Sequence, residues 1–531
     1  MKRSASRRLS AIFVGALSAC WASAALAATY EVGPGKEYEN ISDAPLRSLE
    51  AGDEVLVYYR AEPYRESFGI ERAGTEQSPI SLRGIPGPNG ELPIIDGEGS
   101  SAGPGAHNRG LVHTGPGAAY VVIENFEIRN ANSDAGFPDN AASVFAPDGS
   151  HLTFRNLDIH GSGNGFFSWV NAADITVEGC FIHDNGNAGS IYEHNIYTES
   201  DGIVFQYNVI LPLRPDAGGN NLKDRSQGTV VRYNWIEGGN RVLDLVEAED
   251  GAWDHTNDPI HVFGNVLIKH ADTNQSQIVH FGQDGGRPPR RLMYFYQNTV
   301  LSDRSNGATI FFVNSQTRVE AYNNVFESTG GELELLDPDQ SSEATLVMGA
   351  NWIQAGFRAG SNSATYEGIE NLIEGSDPGL GDGYRPASGS PLIDSGDSLP
   401  QGYDTVTSEF AGQGLSRARG DSAAPDIGAF GSESMGDPSP GGFGGGGSGG
   451  GSSGGGGNGN GGTSVGGGSG GTDKTGNGGS SQAGANANGD ASGVDGGCAC
   501  RTTPVGSGSP HGISLMGLLG VFWLRRRVRR G

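Results

Sequence analysis

One pattern recurs along the chain and restricts its fold more than any other feature. YVVIENFEI (120–128), HLTFRNLDI (151–159), DITVEGCFI (174–182), GIVFQYNVI (202–210), TVVRYNWI (229–236), IHVFGNVL (260–267), MYFYQNTV (293–300) and VEAYNNVF (319–326) align on one template. Their last apolar residues are Ile128, Ile159, Ile182, Ile210, Ile236, Leu267, Val300 and Phe326, spaced by 31, 23, 28, 26, 31, 33 and 26 residues. A repeat of this length with loops of variable size reads as one coil of a solenoid, in which each unit buries its apolar side against its neighbours.

Columns of the template behave as strand positions. Ile123, Phe154, Val177, Phe205, Val231, Val262, Phe295 and Ala321 form an apolar column, and the next position holds Glu124, Arg155, Glu178, Gln206 and Arg232. This alternation puts one residue in and the next out. A third column reads Phe126, Leu157 and Cys180, then Asn208, Asn234, Asn265, Asn298 and Asn324. One rung apart, at ~4.8 Å, these asparagines predict a buried structural ladder of side-chain amides at a corner. A second set of segments follows each corner: NGFFSW (164–169), HNIYTES (194–200), NNLKDRS (220–226), NRVLDLV (240–246), SQIVHFG (276–282) and ATIFFVN (308–314). Its expected inward line is Phe166, Ile196, Leu222, Val242, Ile278 and Ile310, with Phe167 and Trp169 read as packing. At least two faces per coil are implied. The fold class is therefore an all-β parallel β-helix, since four-stranded propeller blades of ~40 residues do not fit these spacings.

Composition divides the chain. Of 90 glycines, 29 fall in residues 441–497, which hold almost nothing large and apolar. The expected organisation is a leader (1–27), a cap with first coils (28–119), the β-helix (120–435), a Gly/Ser-rich disordered linker (436–497) and a tail (498–531). The leader has Lys2, Arg3, Arg7 and Arg8, an apolar run from Ala11 to Ala19 and a cleavage site at Ala25-Leu26-Ala27. Leu17-Ser18-Ala19-Cys20 offers the alternative of lipidation at Cys20. Residues 28–511 carry 26 bases against 61 acids, a field that excludes nucleic acid as a partner. Cys180 stands alone in the body, so burial and not disulfides must stabilise it. A monomer is expected.

In the tail, Cys498 and Cys500 precede an apolar run of 12 residues (513–524) and five terminal arginines. The run would span only ~18 Å of a ~30 Å bilayer core. This order resembles the C-terminal sorting tails of myxobacterial surface proteins. The resemblance implies processing at Cys498 and Cys500 by sorting machinery, and a body outside the cell; a short membrane anchor is the alternative.

Residues 28–430 as a whole resemble the pectate-lyase-type right-handed β-helix superfamily. GDEVLVYYRAEPYRESFGI and GTEQSPISLRGIPG (52–87) are similar to its first coils and cap, while SGSPLIDSG (388–396) and PDIGAF (425–430) are similar to closing rungs. Right-handedness is implied by this resemblance and by the usual crossover rule. The superfamily hosts lyases, hydrolases, epimerases and adhesins, so chemistry must be read from the site.

Residues 190–285 gather His194, Tyr197, Glu199, Lys223, Asp224, Arg225, Arg232, Glu237, Arg241, Asp244, Glu247 and His280. Tyr197 is expected beside Lys223, and Thr198, Asp224, Asp244 and His280 in one column. The leading expectation is a polysaccharide lyase acting on a uronic-acid polymer. β-Elimination needs neutralisation of the sugar carboxylate, a base for the C5 proton and an acid for the leaving oxygen. Lys223 is the candidate base, Arg225, Arg241, Arg232 and His280 are candidate substrate binders, and Tyr197 or His194 the proton donor. The resemblance to β-helix lyases, which often use calcium, implies Asp244, Glu247, Glu249 and Asp250 as candidate oxygen ligands. A glycoside hydrolase using Asp224 and Asp244 is the second reading, and a non-catalytic carbohydrate-binding or adhesive protein the third. His113, His151, His160, His183, His255, His261 and His270 read as surface or turn residues.

Overall fold

The computed structural model describes residues 27–440, apart from 254, 256, 257, 272, 286, 314, 315, 338–342, 361, 362, 422 and 434. The leader up to residue 26, residues 441–497 and the tail with Cys498 and Cys500 lie outside the described residues.

Strands stack in parallel, coil on coil, into a β-helix with three faces. The first face aligns Ile123, Phe154, Val177, Phe205, Val231, Val262, Phe295 and Ala321 in one register. The second aligns the terminal apolar residues from Ile128 to Phe326. A third face follows, with Phe166, Ile196, Leu222, Leu243, Val279 and Phe311 in register. The expected line through Val242, Ile278 and Ile310 is thus one residue out of step.

Between the first two faces runs the asparagine ladder. Asn208, Asn234, Asn265 and Asn298 each donate Nδ2 to the next asparagine at 3.0 Å, and Asn324 donates to Asn351 at 2.9 Å. Each Oδ1 from Asn234 onward also accepts the backbone N–H of the preceding member. All are fully buried, so each amide is satisfied by its neighbours where water cannot reach. The residue before each of the five members from Asn208 to Asn324 turns the corner with positive φ, from 50° at Gln297 to 67° at Gly264. A second, shorter ladder of Asn185, Asn195 and Asn221 marks the entry to the third face.

Chain ends clothe this solenoid. At the first coils, Ile41, Leu46 and Leu49 extend the core, held by Glu66, whose carboxylate accepts the N–H groups of Ile41 and Ser42 at 2.8 Å each. The segments SGSPLIDSG and PDIGAF do not form closing rungs. Leu392 and Ile427 pack on Val325, Ala350 and Trp352, while Ala429 and Phe430 pack on Val266, Ile268 and Leu301. In the later coils the second-face strands are apolar on their outward side too, at Val209, Trp235, Val266, Ile268, Leu301, Val325 and Trp352, and this segment covers them. Leu399, Tyr403 and Val406 similarly cover Tyr207, Tyr233, Phe263 and Tyr296 near the first face. Met435–Pro440 pairs with Leu415–Ala418, carrying strand structure past the boundary expected at 435.

Candidate functional site

The third face carries a different kind of residue on its outward side. His113, Phe145, Phe167, Tyr197, Lys223, Asp244, His280 and Phe312 follow one another in register, one per rung. Their strand neighbours Leu222, Leu243, Leu245, Val279 and Phe281 belong to the core, so alternation turns this column outward. Phe145 and Phe167 lie 5.3 Å apart between centroids, and Phe167 stacks on Tyr197 at 5.1 Å with planes only 7° apart. Aromatic rungs thus lead directly into charged ones.

Asp244 is the centre of the charged part and is fully buried. It accepts from Lys223 Nζ at 2.9 Å and Asn220 Nδ2 at 2.6 Å, and lies 2.5 Å from His280 Nδ1 and 3.7 Å from Arg241 Nη1. Burial alone would raise this carboxyl, but Lys223 and His280 hold it well below the usual range. Lys223 also donates to Asp284 at 2.5 Å. Arg225 Nη2 donates to both oxygens of Asp284, at 2.8 and 3.0 Å, and Nη1 to the Glu247 carbonyl at 2.7 Å. Arg225 Nε is buried without a hydrogen-bond acceptor, its nearest carboxylate being Glu249 at 3.6 Å. Tyr197 donates its hydroxyl to Glu249 at 2.7 Å, and burial raises its phenol above the usual range.

Two loops close over this cluster. The one after Leu243–Val246 is held by buried Glu199, which accepts from the N–H groups of Asp250 and Gly251 at 2.8 and 2.6 Å. The one after Gln277–Gly282 is held by Glu247, which accepts from the N–H groups of Asp284 and Gly285 at 2.8 and 2.7 Å. A Cβ on Gly285 would stand 2.9 Å from a Glu247 oxygen, so a side chain there would have to displace the carboxylate that holds the loop.

His194 serves the edge of the face. Its Nδ1 accepts the Asn220 N–H at 2.8 Å, just as Asn164 Oδ1 accepts the His194 N–H and Asn220 Oδ1 that of Arg241. Burial, aided by the charge of Lys223, lowers its imidazole to about 3. A neutral ring with Nδ1 already occupied caps backbone and is a poor proton donor, contrary to the role expected for it.

Several other expectations are corrected. Asp224 lies beside Thr198 and Leu245 in register, not beside Asp244 and His280. It faces inward, bonded to Thr198, Thr229 and the buried guanidinium of Arg290 at 2.8, 2.7 and 3.1 Å. Asp224 and Asp244 therefore occupy opposite sides of the sheet and cannot flank one glycosidic bond. Arg232 belongs to the first face, where it bonds Gln206 in a ladder of Arg83, Glu124, Arg155 and Glu178. The proposed calcium ligands do not converge: Asp244 serves Lys223 and His280, Glu247 caps two backbone N–H groups, and Glu249 takes Tyr197. Among the described residues, no group of three or more His, Cys, Asp or Glu is arranged for a metal. His113 is not a surface residue but a buried member of the column. Asp284 and Arg290 were not foreseen, because they arrive on a loop outside the repeat.

No protein-family model and no curated protein matches the chain. Among solved structures it is similar to an alginate lyase from Paenibacillus sp. str. FPU-7, at 15% identity and TM-score 0.42, covering 56% of this chain and 94% of that one. It is also similar to pectate lyase Pel9A, at 13% identity and TM-score 0.41, covering 77% and 97%. A third similarity is to the GH136 lacto-N-biosidase from Eubacterium ramulus, at 15% identity and TM-score 0.42, covering 65% and 67%.

Proposed function

We propose that the protein acts on an acidic polysaccharide laid along the third face, as an exported enzyme whose reaction is β-elimination. One observation carries this reading: Lys223 and Arg225, both nearly buried, share a carboxylate that is delivered by a loop. A uronate carboxylate has the same shape and charge, and the unmet Arg225 Nε–H offers it a further donor. Neutralising that carboxylate makes the adjacent C5 proton easier to remove. Lys223 binds the carboxylate in this scheme and is not the base, because its ammonium already serves Asp244 and Asp284. Tyr197, one rung away and hydrogen-bonded to Glu249, is the proton-transfer group; its phenol gives a proton to the leaving O4 as the C4–O4 bond breaks and the C4=C5 bond forms. The Glu249 carboxylate beside it is the candidate acceptor of the C5 proton.

Binding without cleavage is a second reading. The completeness of the ion network around Asp244 favours it, since such a network also suits a static adhesive surface. Ultraviolet absorbance of unsaturated product, measured on polygalacturonate, alginate and chondroitin, separates the two. Product from wild type but not from Tyr197→Phe, with binding retained, supports elimination. Binding with no product favours the second reading, and no binding to any acidic polymer overturns both.

A further inference from the structure

Beyond the charged cluster, the same outward column runs into a cavity of about 520 Å³ lined by Arg47, Glu71, Gly105, His107, His113, Phe145 and Asp148 among others. That size suits one or two sugar rings. We propose that this cavity is a second saccharide subsite, selective for an uncharged sugar.

Its floor is aromatic. His107 stacks on His113 at 5.2 Å between centroids and lies 4.9 Å from Phe145, which continues through Phe167 to Tyr197. Ring faces of this kind suit the C–H side of a pyranose. The hydrogen-bonding edges are complementary. His107 Nδ1 accepts the Arg109 N–H at 3.1 Å, which leaves its proton on Nε2 as a donor. His113 Nδ1 faces the Gly105 carbonyl at 3.0 Å, which places its proton there and leaves Nε2 as an acceptor. Neither Nε2 has a partner among the described residues, so one donor and one acceptor stand ready for sugar hydroxyls. Burial lowers both imidazoles, which keeps them neutral. Glu71 and Asp148 in the lining are opposed by Arg47, and by Arg109 close to His107, so the cavity has no excess of positive charge to hold a carboxylate-bearing sugar.

His113 and Lys223 are four rungs apart, or ~19 Å. A polymer that fills both subsites must therefore carry an acidic sugar and an uncharged one a few units away, which defines a mixed polymer and not a homopolymer of uronate. The uncharged subsite stands on its own lining; only its linkage to Lys223 and Arg225 rests on the proposed function.

Calorimetric titration of the full chain tests this with cellotetraose, xylotetraose, mannotetraose and an N-acetylglucosamine tetramer as uncharged probes, and tetragalacturonate as the charged one. At least one uncharged probe is expected to bind, to weaken about tenfold or more in His107→Ala, and to be unaffected by Arg225→Gln. Tetragalacturonate is expected to show the reverse. His107→Phe, which keeps the ring stack and removes the hydrogen bonds, is expected to weaken the uncharged probe as well. Absence of uncharged binding, or uncharged binding indifferent to His107, overturns the inference. Loss of tetragalacturonate binding alone overturns the reading of Lys223 and Arg225 and leaves the uncharged subsite intact.

Discussion

Asp284→Asn is expected to move stability and affinity in opposite directions. The carboxylate receives one hydrogen bond from Lys223 at 2.5 Å and two from Arg225 at 2.8 and 3.0 Å, and its side chain is 24% exposed. Charge-assisted bonds of this kind contribute about 1.5–3 kcal/mol net, and the three share one group, so removing the charge should lower unfolding stability by about that amount. If Asp284 occupies the position of a substrate carboxylate, wild type must first release it, which weakens apparent affinity by the same free energy, roughly 10- to 100-fold. The variant should therefore bind tetragalacturonate that much more tightly while its urea midpoint falls. Acid should mimic the first effect. Burial would raise the Asp284 carboxyl, but Lys223 and Arg225 hold it below the usual range. Its stabilising contribution is present above the unfolded pKa of ~3.9 and is lost as pH falls through the lower folded value. Unchanged or weaker tetragalacturonate binding by a folded Asp284→Asn protein would refute the competition.

Other outcomes follow from features away from the Asp284 loop. Asn265→Ala should cost about 3 kcal/mol or more in chemical denaturation, because it strips a partner from the N–H and Nδ2 of Asn234 and from Oδ1 of Asn298 at full burial. His270 lies 3.1 Å from both Glu237 and Asp303; the Glu237 hydrogen bond, opposed by burial and helped by Asp303, raises it to about 9. Its contribution is full below the unfolded value of ~6.5 and fades as pH rises through about 9, so His270→Gln should flatten the stability profile between those limits. Arg232→Gln should leave saccharide binding unchanged, as measured by the same titration, because Arg232 lies on the first face. Cys180, fully buried and with its thiol pushed up to about 12 by burial, should resist thiol reagents until the protein unfolds.

Much of the fold is legible in the sequence because the first two faces mark their own register. Polar and apolar residues alternate through Glu124, Arg155, Glu178 and Gln206, and asparagine labels the corner. The third face lacks both aids. Leu222–Asp224 and Leu243–Val246 are short and buried on every residue, so no alternation shows which side chain points inward. A slip of one residue exchanges the two sides of a strand, and this is why Asp224 was expected beside Asp244. Even so, the types of residue along 194–280 single out this stretch, and His194, Tyr197, Lys223, Arg225, Arg241, Asp244, Glu247, Glu249 and His280 do gather there. What periodicity cannot reveal is a side chain brought by a loop, as with Asp284 and Arg290, or a pocket made by residues from separate coils, as with His107 and Phe145.

The asparagine ladder separates the height of a coil from its length. Successive members are 26, 31, 33, 26 and 27 residues apart, yet every amide meets the next at 2.9 or 3.0 Å. The two longest coils, those after Asn234 and Asn265, are the ones that send out the loops over Asp244. Extra residues can therefore be inserted on the third face without shifting the stacking of any other rung. The corner acts as a fixed spine along which a binding surface can be rewritten loop by loop, so related solenoids could acquire different ligands while their interiors remain superimposable.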